Sequence, residues 1–194
     1  MTDARAEKAD LIGRLEQGWE IAQTTLSYER GGNALARVTR YAAAFGHLVQ
    51  AVRTLERDGR PLLEDPRVRE RIGRIAAELE VQRYGALRVL SALEKGEAPG
   101  AASSVTKLAY SEFEKRYHEL ALEILGPWGQ LTAGVPHEFL EIASSSGEPG
   151  TWAHAFLWSR AGTIYAGSSE IQKNVIADRV LGLPKEPRAD RLPR

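Results

Sequence analysis

Apolar positions recur at helical spacing along most of this chain. Leu15, Trp19, Ala22 and Leu26 follow at intervals of 4, 3 and 4. After Ser27-Tyr28-Glu29-Arg30-Gly31-Gly32 the series resumes through Leu35, Val38, Ala42, Phe45, Val49 and Val52, with a small change of phase. The pattern predicts one long helix ending near Asp58-Gly59, with Gly31-Gly32 as the place where it bends. Asp65 then reads as an N-cap with Pro66 in the first helical position, opening a helix that buries Val68, Ile72, Ile75, Leu79, Ala86 and Leu90. Gly96 to Gly100 breaks it. Ser103 or Ser104 caps a third helix, with Val105, Leu108, Phe113, Tyr117, Leu120 and Ile124 on one face and Gly126-Pro127-Trp128-Gly129 at its end.

The pattern weakens over residues 130–150, where a short helix from Val135 to Ala143 precedes a loop. Thr151 caps a further helix that carries Trp152, Phe156, Trp158 and Ile164 and stops near Tyr165. Gly167 permits a positive φ, Ser168 is an N-cap with Glu170 in the first turn behind it, and Ile171, Val175, Ile176 and Val180 form the stripe of a last short helix. Gly182 and Pro184 end that helix. Strands should be almost nil. The expected fold is all-α: an up-and-down four-helix bundle with a short extra C-terminal helix. Residues 1–13 read as a polar lead-in strand or linker, 14–184 as the bundle and 185–194 as a polar tail.

Composition narrows the function classes. The 194 residues carry 26 basic and 26 acidic side chains, so nothing favours nucleic acid or an anionic membrane as partner. Without cysteine there is no thiolate chemistry, disulfide or zinc-thiolate site. The N-terminus has no signal-peptide core, and no apolar run approaches the roughly 20 residues of a membrane span. A soluble cytoplasmic protein is expected. The four histidines are scattered; Glu114 with His118 and His137 with Glu141 lie one turn apart, not at the spacing of a carboxylate-bridged metal bundle, so no metal is assigned.

On spacing alone, the segment around Gly167 is an ordinary turn between two helices. Its residues are distinctive. Ile164-Tyr165-Ala166-Gly167-Ser168-Ser169-Glu170-Ile171-Gln172, followed by Asn174-Val175-Ile176-Ala177-Asp178-Arg179-Val180-Leu181-Gly182-Leu183-Pro184, resembles the C-terminal signature of the acyl-CoA dehydrogenases. The resemblance covers nearly all of this chain but about half of the family's architecture. The N-terminal helical domain and middle β domain have no counterpart, and residues 1–13 match the junction that leads out of the β domain. It implies FAD and an acyl-CoA thioester as ligands, and a carboxylate that removes the α-proton while the β-hydride passes to the flavin.

Many members place that carboxylate directly before the glycine of the turn. Here the position is Ala166, which cannot take a proton. The isovaleryl-CoA and long-chain types keep a small residue there and carry the glutamate on the first long helix, as Glu-Arg. Glu29-Arg30 matches that pair, so the resemblance implies Glu29 as base. Two other readings stand beside it: a solvated helix carboxylate, or a pair retained for structure in a subunit without chemistry. By the same resemblance Gly167, Ser168, Ser169, Glu170 and Gln172 lie against the flavin nucleotide. The chain departs from the family at Val52-Arg53-Thr54-Leu55-Glu56-Arg57, which lacks the Phe-Gly of Arg-x-x-Phe-Gly, and at Pro127, where a second glycine is common. The implied partners are a second copy or another dehydrogenase-like subunit. The alternatives are a non-catalytic subunit of a heteromeric flavoenzyme and a helical oligomerisation module that no longer binds flavin.

Overall fold

The structure is a computed structural model that describes residues 3–97, 100–135 and 150–185, with the backbone alone at Ser27, Arg30, Gly31 and Gly32. The expected helix from Val135 to Ala143 past its first residue, the following loop to residue 149, the pair His137 and Glu141, and the tail beyond Lys185 lie outside the described residues. The rest is all-α, as the periodicity predicts. α1 (Gly18–Gly32) and α2 (Ala34–Thr54) replace the single long helix. Asn33 sits between them at φ −94° and ψ 6°, just after the two glycines that weaken the helix. The guanidinium of Arg37 donates to the carbonyl oxygen of Glu29 at 2.8 Å and ties the two helices across the break.

α2 stops at Thr54, before the expected Asp58-Gly59. Those two residues, at φ 53° and 70°, instead turn a hairpin in which β1 (Glu56–Arg57) pairs antiparallel with β2 (Arg60–Pro61). α3 (Pro66–Glu94) begins as predicted: the Asp65 carboxylate accepts from the Arg67 N–H at 2.8 Å. It buries Val68, Ile75, Leu79 and Ala86, whereas Leu90 stays exposed. α4 (Ala102–Leu125) differs at its start. Neither serine is the cap; both lie buried inside the first turn, and the Ser103 hydroxyl donates to the Gly100 carbonyl at 2.7 Å. A 3-10 turn from Gly126 to Gln130 closes the helix. Gly129 packs so tightly on Leu122 that a Cβ there would lie 3.1 Å from the Leu122 Cα.

α5 (Trp152–Ala161) is capped by Thr151, whose hydroxyl accepts from the His154 N–H at 3.3 Å, and it ends one turn earlier than expected. α6 (Ser169–Val175) runs on into a π-helical turn, Ile176–Val180. Residues 8–10 form a 3-10 turn; no strand occurs among the described lead-in residues.

α4 is the spine and touches α1, α2, α3, α5 and α6. The core collects where α2 and α4 face each other. Tyr41 meets Phe113 and Tyr117 edge-on at 5.5 and 5.2 Å between ring centres, and Tyr117 reaches Trp152 at 5.7 Å. Such pairs add about 0.5–1.5 kcal/mol each beyond the area they bury. No helix among the described residues is long and apolar enough to cross a membrane.

Candidate functional site

α1, α2, α4 and α5 enclose a cavity of about 450 Å³, with the turn before α6 at its edge. Glu29 lines it from α1 and is exposed; Tyr165 and Ala166 line it from the turn. The structure therefore brings the sequence-predicted base and the alanine that replaces the usual one to a single cavity. The side chain of Arg30 lies outside what is described. Arg160 on the α5 side pairs with Glu119 at 2.9 Å and stacks over the Phe156 ring at 4.2 Å.

The predicted flavin residues share one turn but do different things. Ala166 and Gly167 both take left-handed conformations, at φ 53° and 97°. The Ser168 hydroxyl caps α6, accepting from the Ile171 N–H at 3.3 Å. The Ser169 side chain points inward and donates to Glu112 on α4 at 2.9 Å. Gln172 is fully buried and donates through Nε2 to the Ala166 carbonyl at 3.2 Å. Glu170 is exposed. From below, the buried ammonium of Lys107 donates to the Gly167 carbonyl at 2.7 Å. The interior thus holds the two carbonyl oxygens of the turn. The expected apolar stripe of α6 is corrected: Ile171 and Val180 are exposed, and Ser169 and Gln172 face the bundle. The reason is that this helix packs by hydrogen bonds to the turn and to α4. At the start of α6 the N–H groups of Ser169, Ile171 and Gln172 are already paired, with the Thr163 carbonyl, the Ser168 hydroxyl and the Ser168 carbonyl. Gln172 Oε1 is buried without a partner.

The floor of the cavity was not foreseen. Glu114 on α4 is 6% exposed, and its Oε1 accepts from the Tyr41 hydroxyl at 2.7 Å and from the Tyr110 hydroxyl at 3.3 Å. Burial pushes its carboxyl up, outweighing the two tyrosine bonds and the charges of Arg37 and Arg40. Burial raises both phenols as well, and the Glu114 charge adds to it. Burial first, then the Glu114 charge, also raises Tyr165, with a smaller contribution from Glu29 and against the lowering effect of Arg37 and Arg40. One turn beyond Glu114, His118 Nδ1 lies 2.8 Å from the Glu114 carbonyl oxygen; a carbonyl only accepts, so Nδ1 carries the proton. Burial, joined by the charge of Arg160 and opposed by that hydrogen bond, lowers His118 to about 4, so the imidazole is neutral. A signal for this floor exists in the sequence: Lys107, Tyr110, Glu114 and His118 follow at 3, 4 and 4, a polar stripe beside the apolar one of α4.

Comparison with known proteins fits this architecture. A family profile described as "Acyl-CoA dehydrogenase, C-terminal domain" matches residues 16–181. The chain belongs to the acyl-CoA dehydrogenase family and carries its C-terminal helical domain. It is 34% identical to acyl-CoA dehydrogenase IpdE1 of Mycolicibacterium smegmatis over 184 residues, covering 95% of this chain and 41% of that protein. The IpdE1 of Mycobacterium tuberculosis is 35% identical, with 95% and 43% covered. The chain therefore spans about two fifths of these relatives' length. Among solved structures, a variant of the Tcur3481-Tcur3483 steroid ACAD superposes with a TM-score of 0.72 at 26% identity, covering 90% of this chain and 42% of that one. An acyl-CoA dehydrogenase from Geobacillus kaustophilus shares the fold with a TM-score of 0.74 at 24% identity, over 92% and 43%.

Proposed function

We propose that this chain is the C-terminal domain of a flavin-dependent acyl-CoA dehydrogenase in which Glu29 is the base. Residues 1–13 are the lead-in from a β domain, 14–184 the bundle and 185–194 a tail. The complete enzyme is oligomeric and cytoplasmic. The reading rests on one observation: Glu29 and Ala166 line the same cavity, so a carboxylate from α1 reaches the space where the turn offers only a methyl group. Gly167, Ser168, Ser169, Glu170 and Gln172 hold FAD, Ser169 and Gln172 by fixing the turn's shape. FAD held there would supply the acceptor for the β-hydrogen and its electron pair. Glu29 takes the α-proton, and the electrons of that C–H bond form the new double bond. The rest of the flavin and thioester envelope comes from sequence beyond the part matched here, on one polypeptide or on a partner.

The test is Glu29→Gln in the complete flavin-loaded assembly, with bleaching of the flavin followed after acyl-CoA is added. The reaction slows by about 10²–10⁴-fold if Glu29 is the base; an unchanged rate removes that assignment. A second reading has its own support. One structural neighbour is named as a pair, Tcur3481-Tcur3483, and this chain lacks Arg-x-x-Phe-Gly. In that reading the chain is a structural subunit of a heteromeric flavoenzyme. Glu29→Gln is then silent, while replacing the partner's base abolishes bleaching. A helical module that has lost flavin predicts a colourless assembly.

A further inference from the structure

The buried network under the cavity is closed to ligands and takes no part in the chemistry assigned to Glu29. Glu114 Oε1 accepts from Tyr41 and Tyr110. Oε2 is buried, and Gly162 packs on it so closely that a Cβ there would lie 2.7 Å away. What the network holds is a guanidinium. Arg37 on α2 is half-buried and lines the cavity, and its Cζ lies 4.9 Å from the centre of the Tyr110 ring. From the same spot its charge acts on Glu114 and on Tyr165. It also donates to the Glu29 carbonyl oxygen at 2.8 Å.

That bond falls where α1 is weakest. Glu29 lies in the last turn of the helix, where carbonyl oxygens run out of helical N–H partners, and Gly31, Gly32 and Asn33 follow. A cation there also meets the negative end of the helix dipole. The Glu29 side chain is exposed, so the backbone that carries it sets where its carboxylate stands. We propose that Arg37 is a positioning residue: it fixes the last turn of α1 to the cavity floor and so holds the Glu29 carboxylate in register for the α-proton. This inference rests on the reading of Glu29 as the base. It gives Glu114, Tyr41 and Tyr110 a shared task, as the frame that carries the brace. Without the brace the turn pivots at its glycines, and a base displaced by about 1 Å loses up to about 10²-fold in rate while substrate binding is kept.

The experiment follows flavin bleaching in the complete flavin-loaded assembly, with butanoyl-CoA, octanoyl-CoA and cyclohexylpropanoyl-CoA at varied concentration. Arg37→Met lowers the limiting rate by about 10–100-fold, with the half-saturating thioester concentration unchanged within about twofold. Arg37→Lys keeps a charged donor and recovers part of that loss; where Arg37→Met does not fold, it carries the same comparison with a smaller effect. The double variant Glu29→Gln/Arg37→Met is no slower than Glu29→Gln alone, because Arg37 acts through Glu29. Additive losses, or a change in half-saturation alone, would overturn the proposal and make Arg37 a contact for the thioester itself. Failure of the parent reading looks different: Glu29→Gln then bleaches at the native rate, and the proposal goes with it. Amide hydrogen exchange needs no turnover. Arg37→Met speeds exchange over residues 26–33 and leaves α3 as it was. Unchanged protection over 26–33 would overturn the brace even with Glu29 established as the base.

Discussion

The two ends of α4 face opposite kinds of neighbour. Toward α2 and α3 the chain buries what is apolar: Phe113, Tyr117, Leu120 and Ile124 sit among Tyr41, Leu48, Val52, Ile75 and Leu79. Toward the turn, α6 and the C-terminal part of α5, beyond the core residue Trp152, it buries what is polar: Lys107, Ser111, Ser159, Ser169 and Gln172. There the large apolar side chains Leu157, Trp158, Ile164 and Ile171 stay exposed. The first region is held by burial, which is non-directional and tolerant of shape. The second is held by hydrogen bonds, which fix the course of the backbone at the turn. A bundle needs the former to fold; a site needs the latter to keep its geometry.

Truncation in the two regions should separate them most sharply. Tyr117 is fully buried, and Tyr117→Ala should cost about 3–5 kcal/mol of the domain's stability in urea unfolding. Trp158 is 52% exposed. Trp158→Ala should change that stability by about 0.5 kcal/mol or less, although it removes a larger side chain. A loss at Trp158 comparable to that at Tyr117 would erase the distinction.

Acid should find the boundary between the regions. His118 is buried and neutral, with its pKa lowered from 6.5 to about 4, so folding excludes a proton that the unfolded chain binds. Stability is fully present above 6.5 and falls as pH drops toward 4, by about 3 kcal/mol. Glu114 acts in the opposite sense. Its raised pKa means that the folded state holds a proton longer, so stability is gained as pH falls through that value toward 4.5. His118→Asn should flatten the decline between neutral pH and pH 4, and Glu114→Gln should steepen it. Denaturant titrations across that range read both slopes; equal slopes in all three proteins would place the acid sensitivity elsewhere.

Within the turn the effects should be smaller and local. The Lys107 ammonium donates to the Gly167 carbonyl, a bond with a charged donor. Lys107→Met keeps the length of the stem and loses that bond, for about 2 kcal/mol. In the complete assembly, flavin affinity should fall alongside stability, because the turn is the part set free. A stability loss with unchanged flavin affinity would mean that Lys107 supports the bundle and not the site.

What could be read from the sequence divides along the same line. Asp65 before Pro66, Thr151 before α5 and Ser168 before α6 are caps as expected, since capping depends on residues a few positions apart. The α4 face containing Phe113, Tyr117, Leu120 and Ile124 is buried as periodicity predicts. The stripe Ile171 and Val180 failed because periodicity says that a face is apolar, not that this chain covers it. The break at Asn33 fell one residue past the glycines, a matter of local backbone balance that composition does not resolve. At the site, Glu29 and the turn were legible through resemblance. Glu114, Tyr41 and Gly162 were not, because they meet only when α2, α4 and α5 pack, over separations that no local pattern records.

The smallest expected effect tests whether the turn is a cap, a ligand site or both. Ser168 accepts from the Ile171 N–H, and Asp65 does the same service for the Arg67 N–H at the start of α3. Both substitutions to alanine remove one cap and should cost about 1 kcal/mol of stability. If Ser168 only caps, the two variants are indistinguishable in every other respect. If its partly exposed hydroxyl also faces the flavin nucleotide, Ser168→Ala weakens FAD binding by an additional factor that Asp65→Ala lacks. Comparing flavin dissociation in the two variants at matched stability isolates that factor. Equal dissociation would assign Ser168 to the helix alone and leave the flavin to the backbone of the turn.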